Sequence, residues 1–195
     1  MISDPQRSVL IDQSARRLLS AIADGDECSM TAFYGLYGRR VYAFARSRLD
    51  DSQSAAEIVN EVMLVVWSTA GSFKGDAGVS TWLLGIANNK VVDVLRRRYK
   101  NRCPDIDWED TGASSDSGER VVVEAECRQT INKCLASLPD KQRQVVHLAF
   151  FDDLSYREIA EILGCPPGTV KTRMYHAKLT LKRRLQELGV EAQDM

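Results

Sequence analysis

The chain has 195 residues, 44% of them hydrophobic, which is enough apolar material for one domain or two small ones with cores of their own. The start, MISDPQRSVLIDQSARR, lacks the basic head and apolar run of a secretory signal, and no apolar stretch approaches membrane-spanning length, so a cytoplasmic protein without membrane insertion is expected. The net charge of −1 conceals segregation: Asn88 to Arg102 holds six basic residues and one acid, whereas Pro104 to Glu126 holds eight acids and one Arg. Two basic surfaces separated by an acidic connector are implied.

In chain order, residues 1 to 12 carry little pattern and read as a frayed tail, followed by a short helix from Ser14 to about Ala23. A longer helix is expected from Met30 to Leu49, with Phe33, Leu36, Tyr37, Val41, Phe44, Ala45 and Leu49 as apolar positions, ended by Asp50-Asp51. The next has a capping-box pattern, Ser54 with Glu57, and an apolar run through Ile58, Val59, Val62, Met63, Val66 and Trp67. Glu57, Asn60 and Glu61 fall on its other side, where composition alone gives a solvated acidic edge. GSFKGDAGV, residues 71–79, holds three glycines and is a loop, too short and wrongly spaced for a phosphate-binding P-loop.

A helix then runs from about Ser80 to Tyr99, burying Trp82, Leu83, Ile86, Ala87, Val91, Val94 and Leu95 and ending in Arg96-Arg97-Arg98-Tyr99-Lys100. Cations late in a helix suit its dipole; beside a Gly-rich loop with aromatics they also suit single-stranded nucleic acid. Residues 101 to 120 have linker composition and set a domain boundary. Val121 to Leu138 reads as a helix with Val123, Cys127, Ile131, Cys134 and Leu138 inward; another starts at Leu138-Pro139-Asp140, with Val145, Val146, Leu148, Ala149 and Phe150 feeding a small core.

From Ser155 to Leu185 the pattern is a helix-turn-helix. Ser155 and Glu158 form a capping box, Ile159, Ala160, Ile162 and Leu163 an apolar face, Gly164 a stop tolerant of positive φ, and Pro166-Pro167 a break that pre-sets the next helix. Val170, Met174, Ala177, Leu181 and Leu185 then mark one inward face. Thr169, Lys171, Thr172, Arg173, Tyr175, His176 and Lys178 lie on or beside the opposite face, with no acid between Gly168 and Arg184. Early side chains of such a helix reach base edges in the major groove and later cations meet phosphates.

The five cysteines (Cys28, Cys103, Cys127, Cys134, Cys165) include no C-x-x-C pair and are expected to be small buried thiols. Cys127 and Cys134, on one helix face about 10 Å apart, are beyond disulfide reach. The two histidines, His147 and His176, are far apart, and no H-E-x-x-H or Walker motif is present. The chain therefore offers no metal site, no cofactor site and no catalytic constellation, and is not expected to be an enzyme.

The ordered set DDSQSAAEIVNEVMLVVW, SFKGDAGVSTWLLGIANNKVVDVLRRR, an acidic linker, LPDKQRQVVHL and LSYREIAEILGCPPGTVKTRMYHAKLTL resembles a sigma-70-family initiation factor of the small extracytoplasmic-function group, over roughly residues 25 to 188. The resemblance implies an all-α protein: a helical bundle at 13–100, a flexible acidic linker at 101–120 and a helix-turn-helix domain at 121–188. It implies as partners bacterial core RNA polymerase, promoter DNA and an anti-sigma factor. Residue by residue, Asp51, Glu57, Asn60 and Glu61 would meet polymerase, in place of the solvated-edge reading. Phe73, Lys74, Gly75 and Asp76 would capture a base flipped from the −10 element. Asn89, Lys90, Arg96, Arg97 and Arg98 would hold the separated strand. The recognition-helix set from Thr169 to Lys178 would face the −35 duplex. His176 departs from the family's usual Arg, replacing a bidentate guanine donor with a group whose charge varies near neutrality, and Pro167 departs from the usual turn. His147, among Val145, Val146 and Leu148, reads as structural. The linker's acids would imitate nucleic-acid charge in the polymerase channels, although a spacer role also satisfies its composition. The rival reading is a stand-alone helix-turn-helix repressor or activator, which would bind its site unaided; no heptad run provides it with a dimer seam.

Overall fold

The computed structural model describes residues 5–49, 51–102, 131 and 133–187, and every regular element among them is helical. The first bundle comprises α1 (Pro5–Ala23), α2 (Glu27–Arg46), α3 (Ser52–Thr69) and α4 (Val79–Arg102), with a single 3-10 turn, Ala70–Ser72, after α3. A short helical piece at 133–136 precedes α5 (Asp140–Phe150), α6 (Tyr156–Leu163) and α7 (Pro167–Glu187). The linker beyond residue 102, Cys103, Val123, Cys127 and the tail after Gly189 lie outside the described residues.

Local chemistry explains where these helices start and stop. Gly25 takes φ +89°, a left-handed turn open to glycine, and Asp26 then caps α2 by accepting the N–H groups of Cys28 and Ser29, each at 3.1 Å. The carboxylate of Asp51, rather than the Ser54 hydroxyl, caps α3, accepting the Ser54 N–H at 2.5 Å; Ser54 is already inside the helix. That contact, then the Arg98 guanidinium beside it, holds the Asp51 carboxyl down at about 2. α1 begins at Pro5, earlier than expected; its inner face buries Ala15, Leu19 and Ile22 against the bundle, and Asp12, in the stretch read as a tail, accepts the Val79 N–H at the start of α4.

Phe33, Tyr37, Val41 and Phe44 of α2, Ile58, Val62 and Val66 of α3, and Leu83, Leu84, Ala87 and Val91 of α4 complete the first core. Four expected inward positions face outward instead: Leu36 is 43% exposed, Trp67 40%, Ile131 44% and Phe150 61%. Cys28 is also exposed, against the expectation of a buried thiol, while Cys134 is buried.

The second core gathers Val145 and Leu148 of α5, Ile159 and Ile162 of α6, and Val170, Met174 and Ala177 of α7. The capping box forms in both directions, the Glu158 N–H donating to Ser155 Oγ at 3.3 Å and the Ser155 N–H to Glu158 Oε2 at 2.9 Å. Gly164 ends α6 at φ +60°, and Pro167 opens α7.

The two bundles pack against each other, chiefly α4 against α6, and polar contacts stitch the seam. Arg40 donates to Asp152 Oδ1 and to the Asp152 carbonyl, both at 2.6 Å, and to Ser80 Oγ at 2.9 Å. Asn88, 8% exposed, donates to the Ile162 carbonyl at 3.1 Å and accepts from Arg48 at 2.8 Å. Thr81 donates to Glu158 at 3.2 Å. With the Gln144 amide oriented so that its oxygen faces Arg48, that oxygen accepts two further Arg48 N–H groups at 2.7 and 2.8 Å.

Candidate nucleic-acid interface

The loop between the 3-10 turn and α4, residues 73–78, is shaped by Gly75 at φ +79°, which a side chain would strain. The Phe73 and Trp82 rings meet at 5.2 Å, and beside them opens a cleft of about 480 Å³. Lys74, Gly75, Asp76 and Asn89 line its loop side; Glu161 and Ile162 of α6 line the opposite wall. Lys74, Asp76 and Asn89 are exposed, and the base-capture candidates Phe73, Lys74, Gly75 and Asp76 line one concave place together with Asn89 of the strand-holding set.

The expected polymerase and −10 sets are not separate surfaces. Lys90 of α4 pairs with Glu61 of α3 at 3.1 Å, and Arg98 of α4 bonds both the Asp51 carboxylate and Ser54 Oγ. These pairs are partly exposed and each contributes at most about 1 kcal/mol, so a phosphate or a basic partner can exchange into them. Arg97 donates to the Asp93 carbonyl at 3.3 Å, and Arg96 lies 4.0 Å from the Asp93 carboxylate. Along the outer side of α3, Glu57 and Asn60 stand exposed in line with Leu64, 69% exposed, and Trp67. The last two enlarge the expected edge with apolar surface.

On α7, Lys171, Thr172, Tyr175, His176 and Lys178 are exposed, while Thr169 and Arg173 are half-buried. Tyr175 is 66% exposed and meets His176 edge-on at 5.5 Å, giving the helix a protruding aromatic pair. Thr172 Oγ1 donates back to the Gly168 carbonyl at 3.0 Å, and Arg173 turns toward Cys165. The buried stripe Val170, Met174 and Ala177 fixes which face is presented.

His147 is structural, as its setting suggested: it stacks on Phe151 at 5.1 Å and stands 3.7 Å from Asp152 Oδ2. Burial pushes its pKa down from 6.5, the Arg40 charge adds to this, and Asp152 opposes it. The unfolded chain then binds a proton more readily than the folded one, so stability declines as pH falls through 6.5 toward the lower folded value and is unaffected above it. Urea midpoints measured from about pH 7.5 down to about pH 5.5 should fall, and His147→Gln should flatten the decline.

The family description "Sigma-70 region 2" matches residues 33–101 and "Sigma-70, region 4" matches 128–181, in that order. The RpoE extracytoplasmic-function sigma factor of Cereibacter sphaeroides is 32% identical over 175 residues, 88% of this chain and 93% of that protein. The chain belongs to the sigma-70 family. It is a sigma factor of the extracytoplasmic-function kind, a subunit that binds core RNA polymerase and directs initiation at promoters.

Among solved structures, CnrH in complex with the cytosolic domain of CnrY shares the fold of this sigma factor with a TM-score of 0.65 and 21% identity, covering 89% of this chain and 98% of that one. RpoE in complex with the anti-sigma factor NepR, from Bartonella quintana, gives 0.61 and 23%, covering 80% and 96%. Within the sigma factor, the region 2 match runs from within α2 into α4 and the region 4 match takes in α5, α6 and most of α7; α1 lies outside both. Sequence reasoning missed Asn88, Arg40 and Asp152, which fasten the two matched regions together, because their partners lie 74 and 112 residues away.

Proposed function

We propose that this sigma factor works as two units, residues 13–100 and 121–188, joined by the acidic segment 101–120. The first docks on core polymerase through Asp51, Glu57, Asn60 and Glu61 and opens the −10 element. Phe73, Lys74, Gly75 and Asp76 receive a flipped base, and Asn89, Lys90, Arg96, Arg97 and Arg98 hold the strand it left. The second reads the −35 duplex with Thr169, Lys171, Thr172, Arg173, Tyr175, His176 and Lys178. The observation that carries this reading is the cleft of about 480 Å³ at the start of α4, with Lys74, Asp76 and Asn89 exposed around it. Extruding a base costs a few kcal/mol, and a preformed recess offsets part of that cost.

The sigma factor itself makes and breaks no bonds, and it acts where core polymerase is, in the cytoplasm; no helix among the described residues is long and apolar enough to cross a membrane. An anti-sigma factor is its expected inhibitor, a role supported by the fold shared with the Bartonella quintana protein bound to NepR. Run-off transcription with bacterial core polymerase, on the promoter upstream of its own gene, should give a transcript only when the protein is added. No transcript, together with a duplex shift by the protein alone, would replace this reading with that of a repressor or activator.

A further inference from the structure

We infer that Asp12 and Arg16 of α1 are positioning residues for the loop 73–78, holding it in the shape that receives a base; this rests on the base-capture reading above. α4 follows Gly78, which has no side chain to cap the helix. The cap comes instead from far upstream: Asp12 Oδ1 accepts the Val79 N–H at 2.7 Å. The other oxygen, Oδ2, pairs with Arg16 Nε at 2.6 Å and aims the guanidinium at the loop. There Nη1 donates to the Gly75 carbonyl at 3.2 Å and Nη2 to the Ala77 carbonyl at 3.1 Å. The same guanidinium lies 5.4 Å from the centre of the Phe73 ring.

One two-residue device therefore fixes two carbonyls of the loop, its aromatic and the first turn of the helix behind it. The fork geometry is what allows one side chain to bind two carbonyls in a fixed relation, which a lysine cannot do. Gly75 belongs to the same arrangement, since a Cβ there would lie 2.6 Å from Arg16 Nη1. Ordering the loop is then completed on folding rather than when DNA arrives, and affinity for the flipped base is higher for it. The loop is inside the region 2 match, but its clamp lies outside it, ahead of residue 33.

The test uses holoenzyme on fork-junction promoter DNA, with each −10 base of the exposed strand replaced in turn by an abasic site. The wild type should show one position at which base removal weakens binding about tenfold or more. Arg16→Ala should bind the intact fork at nearly the abasic level, and its own abasic penalty at that position should shrink to less than about twofold. Its affinity for core polymerase should stay within about twofold of the wild type. Arg16→Lys, which keeps the charge but not the fork that binds two carbonyls, should resemble Arg16→Ala. If the wild type has no base-sensitive position, the base-capture reading fails and takes this inference with it. If the wild type is sensitive and Arg16→Ala equally so, the inference alone fails. Loss of core binding in step with loss of fork binding would make Arg16 a general brace of the fold and overturn the inference as well.

Discussion

Exchanging Glu57 and Glu61 for lysine is expected to weaken binding to core polymerase by about a hundredfold or more while leaving the helix content unchanged. Both residues lie on the outer side of α3, and the inner side, with Ala55, Ile58, Val59 and Val62 buried, keeps the helix in place. Among the described residues Glu57 accepts from the Gln53 side chain, at 3.2 Å, and Glu61 pairs with Lys90 at 3.1 Å, Glu57 being exposed and Glu61 partly so. Reversing both charges against a basic partner replaces attraction with like-charge contact, which costs several kcal/mol; a hundredfold needs about 2.7 kcal/mol. Fluorescence anisotropy with labelled sigma factor measures the affinity and circular dichroism the helix. Unaltered affinity would move the docking face away from this edge.

The second large effect is expected from Arg40→Met, which should loosen the seam between the bundles and cost about 3 kcal/mol. Asp152 has a side chain only 2% exposed, and Arg40 supplies its charged partner, with an added bond to the Asp152 carbonyl. Methionine fills similar volume but leaves a buried carboxylate that, among the described residues, faces His147 at 3.7 Å, and an uncompensated buried charge is costly to keep. The chain should relieve it by parting the bundles. Small-angle scattering should show a larger radius of gyration, and calorimetry a lower first transition. Neither change would mean that the seam is held by its apolar contacts alone.

The parts of this architecture that were legible in the sequence are those whose determinants are close in the chain. Ser155, Glu158, Gly164 and Pro167 dictate the helix-turn-helix within thirteen residues, and the spacing of Val170, Met174 and Ala177 fixes its outward face. Where two local solutions compete, spacing could not choose. Asp51 and Ser54 are both good caps for α3, and Asp51 prevails because Arg98, 47 residues on, pairs with it. The neighbours Asn88 and Asn89 differ by one helical step, so one turns inward to the Ile162 carbonyl and the other outward to the cleft. Leu36, Trp67 and Phe150 follow apolar spacing yet lie outside, since periodicity places a residue on a helix and only the neighbouring helices decide how wide the buried stripe is. The clamp from Asp12 and Arg16 was invisible for the same reason: its targets are 59 to 67 residues away.

The wall that α6 contributes to the cleft has a quantitative consequence. Glu161 brings negative charge to the place proposed for a nucleotide, and α6 holds α4 through Asn88 and Thr81, next to the residues that would meet the strand. On the strand-holding reading proposed above, DNA and α6 would compete for one side of α4, while Phe73, Lys74 and Asp76 keep the loop side of the recess in either form, and the observed affinity for a −10 strand would be the intrinsic affinity multiplied by the fraction of molecules with the bundles parted. If about one molecule in a hundred is parted, binding is about a hundredfold weaker than the loop itself allows. Any ligand that prefers the parted form restores that factor, and any that prefers the joined form enlarges it, without either one touching a base-reading residue.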